Sequence, residues 1–110
     1  ARQKFDEGRV EYARENFEGS ARLFAEAAYL DQSAATYHLF YGLALVGLQK
    51  LKEAERAMTK AHRLDPQNDE ILAELGHLYH ALGFPLRAQR NFKKALEMNP
   101  ENRRAKEGLA

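Results

Sequence analysis

The sequence predicts an all-α fold built from three copies of one helix–turn–helix unit. Three observations lead there: a residue pattern that returns every 34 positions, apolar residues at helical spacing inside the copies, and turn-forming residues between the helical stretches.

The register of the repeat is set by small and bulky residues together. Gly8, Gly42 and Gly76 coincide, as do Phe24, Met58 and Phe92, and Ala27, Ala61 and Ala95. Ala54 matches Ala88, with Ser20 as the small residue of the first copy. Leu64-Asp65-Pro66-Gln67-Asn68 returns as Met98-Asn99-Pro100-Glu101-Asn102. All of these columns agree without a gap. The implied units are 1–34, 35–68 and 69–102, with 103–110 as a capping helix or the start of a fourth copy.

Each unit reads as two helices. In the third, Ile71, Leu72, Leu75, Leu78, Tyr79 and Leu82 keep helical spacing. Gly83 interrupts them, and Pro85 stands where the first turn of the next helix tolerates it. Ala88, Phe92, Ala95 and Leu96 form the inner stripe of that second helix, which Asn99-Pro100 stops. A glycine inside a helix costs about 1 kcal/mol relative to alanine. Gly8, Gly42 and Gly76 therefore mark places where helix axes come too close for a side chain. Ala27, Ala61 and Ala95 are expected to face them, with Phe24, Met58 and Phe92 filling the space beside.

Composition narrows the function classes. The 110 residues are 45% apolar and 30% charged with only three prolines, a balance that suits a folded chain. A formal charge of +1 gives no global field to draw nucleic acid or an acidic membrane. The chain has no cysteine, which excludes disulfides, thiol catalysis and thiolate metal sites. Gln32 to Gln49 carries no charge, but its apolar part falls short of the roughly 20 residues that span a bilayer. No signal-peptide pattern is visible, since Asp6 and Glu7 follow Arg2 and Lys4. A cytoplasmic setting is expected, or a periplasmic one if a parent protein supplies a signal. The whole chain is expected to form one domain, as a fragment of a larger protein.

The run Leu72-x-x-Leu75-Gly76-x-x-Tyr79, followed by Ala88, Phe92 and Pro100, resembles the tetratricopeptide signature, with Leu72 in the usual tryptophan place. The second copy keeps Tyr41-Gly42, Ala54, Ala61 and Pro66 but has His38 and Leu45 in the tryptophan and tyrosine columns. The first is degenerate, with Lys4, Glu7 and Gln32 where apolar or proline residues are usual, as in an end repeat. The resemblance implies a right-handed superhelical α-solenoid of three helix–turn–helix repeats plus the C-terminal helix.

It also implies a groove lined by the first helix of each repeat. The first unit would contribute Arg2, Phe5, Arg9 and Tyr12; the second Thr36, Leu39, Phe40, Leu43 and Val46; the third Glu70, Glu74, His77 and His80. Tyr37, Tyr41, Ala44 and Leu48 serve packing in the second unit, so Leu39, Phe40, Leu43 and Val46 are surplus apolar surface. Such surface usually marks an interaction site. A protein or peptide ligand is therefore expected in the groove, an amphipathic helix or extended segment with apolar anchors. The alternatives are a chaperone-like holder of a secretion or assembly substrate, and a homo-oligomerisation module in which the partner is a second copy.

Other chemistry finds no footing in the sequence. His77 and His80, with Glu70 and Glu74, have metal-compatible spacing, but no third ligand from another helix accompanies them. The ordinary reading is a polar wall with Glu–His hydrogen bonds. Ser20 lies in a packing column and Ser33 in a loop, neither with a positioned His/Asp pair. Gly42-x-x-x-x-Gly47 lies inside a helix and lacks the Lys-Ser/Thr of a phosphate loop. No catalytic residues, metal or cofactor are expected. Arg87, Arg90, Lys93, Lys94, Arg103, Arg104 and Lys106, against Glu97, Glu101 and Glu107, form a basic end whose ordinary reading is the solvated face of a helix, contact with nucleic acid or an acidic protein being the alternative. With no nucleic-acid motif beside it, nucleic acid is not an expected partner, nor is membrane insertion.

Relatives of the resembling family that clamp the carboxylate tail of heat-shock chaperones do so with Lys, Asn and Arg. The corresponding columns here hold Phe5, Arg9, Phe40, Glu70 and Glu74. Two carboxylates facing a carboxylate repel it. Titration with an acidic C-terminal chaperone peptide is accordingly expected to show no micromolar binding, and a micromolar isotherm would contradict this assignment.

Overall fold

Asparagine side chains open three of the helices. Asn16 accepts from the Gly19 amide at 3.1 Å, Asn68 from those of Glu70 and Ile71 at 2.9 and 3.2 Å, and Asn102 from that of Ala105 at 2.9 Å. Each satisfies amides that a first helical turn leaves without intrahelical partners. The computed structural model describes residues 1–110 as seven helices with no strand. They are α1 (Arg2–Ala13), α2 (Phe17–Leu30), α3 (Ala35–Gly47), α4 (Leu51–Leu64), α5 (Asp69–Ala81), α6 (Pro85–Met98) and α7 (Arg103–Leu109). Ala35, Asp69 and Arg103 open one series of helices, and Phe17, Leu51 and Pro85 the other; both advance by 34 residues. No helix is long and apolar enough to cross a membrane.

The turn inside each hairpin has one design. Glu15, Gln49 and Gly83, again 34 apart, hold φ of 60°, 63° and 90°. The amide after each bonds back across the helix end, Asn16 to the Glu11 carbonyl, Lys50 to that of Leu45 and Phe84 to that of Tyr79, each at 2.9 Å. This closure satisfies carbonyls that the helix terminus would otherwise orphan. Only the third copy supplies glycine for the left-handed residue. Glu15 and Gln49 adopt the same backbone against their steric preference.

Two compact units make up the chain, Ala1–Leu64 and Asp65–Ala110. In the first, α2 packs on both α1 and α3, and α4 packs on α3. Its interior is an aromatic cluster in which Phe5 lies 5.6 Å from Phe24 and 5.1 Å from Phe40, ring centre to ring centre. Phe24 is 5.6 Å from Phe40, so the three rings enclose one another. Edge and tilted ring contacts of this kind add to the gain from burial alone. His38, in the tryptophan column, is buried and bonds through Nε2 to the Gln32 carbonyl at 3.1 Å.

In the second unit α5 packs on α6, and α7 lies against both. Asp69 ties the ends together. Its carboxylate accepts from the Asn99 amide group at 3.1 Å and from that of Asn102 at 2.8 Å, joining the start of α5 to the end of α6 and the cap of α7.

The helical glycines are close-approach points, and the atoms nearest to Gly8, Gly42 and Gly76 belong to the bulky residues expected beside them. A Cβ at Gly8 would stand 2.7 Å from Cε1 of Phe24, and one at Gly42 2.7 Å from Cγ of Met58. At Gly76 it would enter the Phe92 ring, and at Gly108 it would enter the same ring. The bulky side chains themselves rest on the glycine backbones. Ala27, Ala61 and Ala95 are fully buried.

Phe92 is 2% exposed, and Phe92→Ala is expected to cost about 3–5 kcal/mol in chemical denaturation. Gly76→Ala gains about 1 kcal/mol of helix propensity but drives a methyl into that ring, so a net loss of about 0.5–2 kcal/mol is expected. In the Phe92→Ala background the same change becomes stabilising, because the ring is gone. Additive effects of the two substitutions would refute the contact.

Candidate functional site

In the first unit the expected site residues separate by depth. Phe5 is 7% exposed and Leu39 6%, so both belong to the interior and the expectation that they line a surface is corrected. Phe5 is drawn in because the degenerate first helix offers few other apolar residues, and its ring completes the cluster with Phe24, Tyr37 and Phe40. What stays accessible is the rim. Phe40, Leu43 and Val46 are half-buried along α3, Tyr12 is half-buried on α1, and Arg2, Arg9 and Thr36 are exposed.

The rim residues converge on one aromatic pair. The Arg9 guanidinium lies 5.8 Å above the Phe5 ring, and the Tyr12 ring is 6.4 Å from that of Phe24. Phe40 touches both phenylalanines. Leu43 and Val46 continue from Phe40 along the same side of α3 at steps of three residues. The result is an apolar strip with the Arg9 guanidinium at its Phe5 end. Arg2 contributes less, since it pairs with Asp6 at 3.4 Å on its own helix.

In the second unit the Glu–His hydrogen bonds expected from the sequence are not formed. Glu74 instead takes both Nε and Nη2 of Arg104, each at 3.2 Å. The hydrogen bond to Glu74 raises the affinity of the Arg104 guanidinium for its proton above the ordinary arginine value. His77 Nε2 lies 2.9 Å from the Arg104 carbonyl, and its ring stands edge-on to Phe92 at 4.8 Å. As an N–H facing a carbonyl, that nitrogen is the donor. Glu70 and His80 stay exposed. No group of three or more His, Asp or Glu side chains comes within metal-holding reach.

Sequence reasoning missed two of these features. By sequence Arg104 belongs to the basic end, but its guanidinium faces Glu74, 30 residues away in sequence. Gly108 lies outside the glycine column yet receives the Phe92 ring. A short α7 that folds back on α5 and α6 carries both; the 34-residue register places that helix but not these contacts.

Comparison with known proteins fits this geometry. The tetratricopeptide-repeat family model matches residues 5–69 and 74–110. Mouse Superkiller complex protein 3 is 31% identical over 99 residues, which is 84% of this chain and 6% of that protein. Heat shock protein STI1 of Saccharomyces cerevisiae is 26% identical over 106 residues, 94% of this chain and 18% of that protein. The chain thus spans a small part of each curated relative. Among solved structures, the second TPR domain of human RPAP3, in complex with an HSP70 peptide, superposes with a TM-score of 0.89 at 24% identity, covering 96% of this chain and 88% of that one. The match of the family model across both units and the helical hairpins stepping by 34 residues agree: the chain belongs to the tetratricopeptide-repeat family.

Proposed function

We propose that this chain is a protein-interaction module whose first unit binds a partner segment through apolar anchors on α1 and α3, without catalysis. The observation that carries the reading is the set Phe40, Leu43 and Val46. These side chains lie on a helix with no charged residue, and each keeps part of its surface in water. The core contacts of α3 are supplied by Tyr37, Tyr41, Ala44, Leu48 and the inner side of Phe40, and Leu43 and Val46 are not among them. Phe40, Leu43 and Val46 keep apolar surface in water beyond what these contacts use, and a partner that covers it gains about 25 cal/mol for each Å² removed from water.

Family membership supports the class of function. The RPAP3 domain of the same fold is seen with a short peptide, which shows that such hairpins can present a binding surface. The surface here differs from a carboxylate clamp. Phe5 is buried, Glu70 is exposed, and Glu74 is already matched by Arg104. Arg9 lies over the Phe5 end of the apolar strip, so a partner segment with an acid next to bulky apolar residues fits best.

Selection of peptides from a displayed library against the whole chain, followed by affinity measurement on Leu43→Glu, tests this. Selected peptides are expected to carry spaced apolar anchors and to lose about tenfold or more in affinity for Leu43→Glu, the equivalent of about 1.4 kcal/mol. The circular dichroism of the variant should stay that of the parent. Undiminished affinity for Leu43→Glu would place the binding surface elsewhere.

A further inference from the structure

The outer side of α6 carries a second surface that the fold does not require and the first-unit strip does not explain. Phe84 and Leu86, at its N-terminal end, are 53% and 73% exposed. Beyond them Arg90, Lys93 and Lys94 are exposed on the side turned away from the buried Ala88, Phe92 and Ala95. None of these three cations takes part in an ion pair. Glu97 is the single acid of α6. Arg87 is engaged differently, its guanidinium stacked 4.3 Å above the Tyr79 ring.

The internal repeat shows that the apolar pair is not a demand of the architecture. The position of Leu86 is held by Glu18 in the first copy and by Lys52 in the second. Phe84 stands where the first copy has Asn16 and the second Lys50. Asn16 and Phe84 precede a helix with similar backbone, φ −84° and ψ 81° for Asn16 against φ −116° and ψ 71° for Phe84. Asn16 caps its helix by accepting from the Gly19 amide, whereas Phe84 makes no cap bond. Neither of the other copies places an apolar residue here, and Phe84 forgoes the cap bond that Asn16 makes, leaving an exposed aromatic ring at the start of α6.

We infer that Phe84 and Leu86, with Arg90, Lys93 and Lys94, form a docking strip for an acidic peptide segment that carries an apolar anchor. Charge complementarity selects the partner: three unpaired cations face outward with one acid among them. The shape selects it further. From Leu86 to Lys93 the strip extends about 10 Å along one helix and is one helix wide, which suits a single chain segment. A bilayer would find only two apolar side chains to take up, too few for stable anchoring.

The test is fluorescence anisotropy on the full chain with a short fluorescein-labelled peptide rich in glutamate around a central leucine–phenylalanine pair. Binding is expected that weakens as salt is raised, and that falls about tenfold with Lys93→Glu and Lys94→Glu together. Phe84→Asn separates a binding role from a structural one. It should raise the thermal midpoint by restoring the cap to the Arg87 amide, and lower the peptide affinity. Leu43→Glu should leave this binding unchanged, so failure here and failure of the first-unit surface are told apart. Peptide affinity indifferent to the Lys93/Lys94 reversal or to Phe84→Asn would overturn the proposal. So would cosedimentation with phosphatidylserine vesicles, or retention of homopolymer RNA, in the absence of peptide binding.

Discussion

A bulky side chain resting on a helical glycine is the contact on which the rest of this structure depends. Phe24 on Gly8, Met58 on Gly42 and Phe92 on Gly76 repeat it through the chain. Glycine is a poor helix former, and each of these positions gives up helix propensity. In return the paired helices approach until the side chain of one lies on the backbone of the other, with the density expected of a protein interior. Neither helix of a pair is long enough to hold its shape alone in water. The packed hairpin, not the single helix, is the stable unit.

This contact also determines which surfaces are left for partners. Once Phe24 seats on Gly8, Phe5 is drawn inward to complete the cluster, and Phe40 closes it from α3. What remains accessible is the edge of that cluster and the next residues along the helix, Leu43 and Val46. In the second unit the ring of Phe92 meets Gly76 on one side and Gly108 on the other, so α7 is held by the same device. Arg104 then reaches Glu74, and the Arg104 carbonyl receives the His77 N–H. Two residues that the repeat pattern marks as surface thereby become fixings for the terminal helix. The outer side of α6 takes no part in any of this, which is why its side chains are free to serve another purpose.

The repeat was fully legible in the sequence because close approach leaves a mark that composition cannot hide: glycine inside a helix at a fixed interval. Turn positions were partly legible. Gly83 declared the left-handed residue of its hairpin, but Glu15 and Gln49 adopt the same conformation without a sequence signal. Depth of burial was not legible. Column position tells which side of a helix a residue occupies, and Phe5 and Leu39 share a side with Leu43; how far each sinks depends on neighbouring helices. Contacts of α7 were invisible for a related reason. Phe92 meets Gly108 at the positions where Phe24 meets Phe40 in the first copy, but with different residue types, and the Arg104–Glu74 pair has no counterpart at Thr36 and Asp6; the register places α7 without naming its contacts.

Ring currents give the most direct measurement of the central contact. A proton-detected nuclear magnetic resonance spectrum of the chain should show the α-protons of Gly8, Gly76 and Gly108 displaced from ordinary helical glycine values by the rings of Phe24 and Phe92. Those of Gly42, which lies against the sulfur-bearing side chain of Met58, should not be displaced. Ordinary shifts at Gly8 and Gly76, indistinguishable from Gly42, would contradict the account.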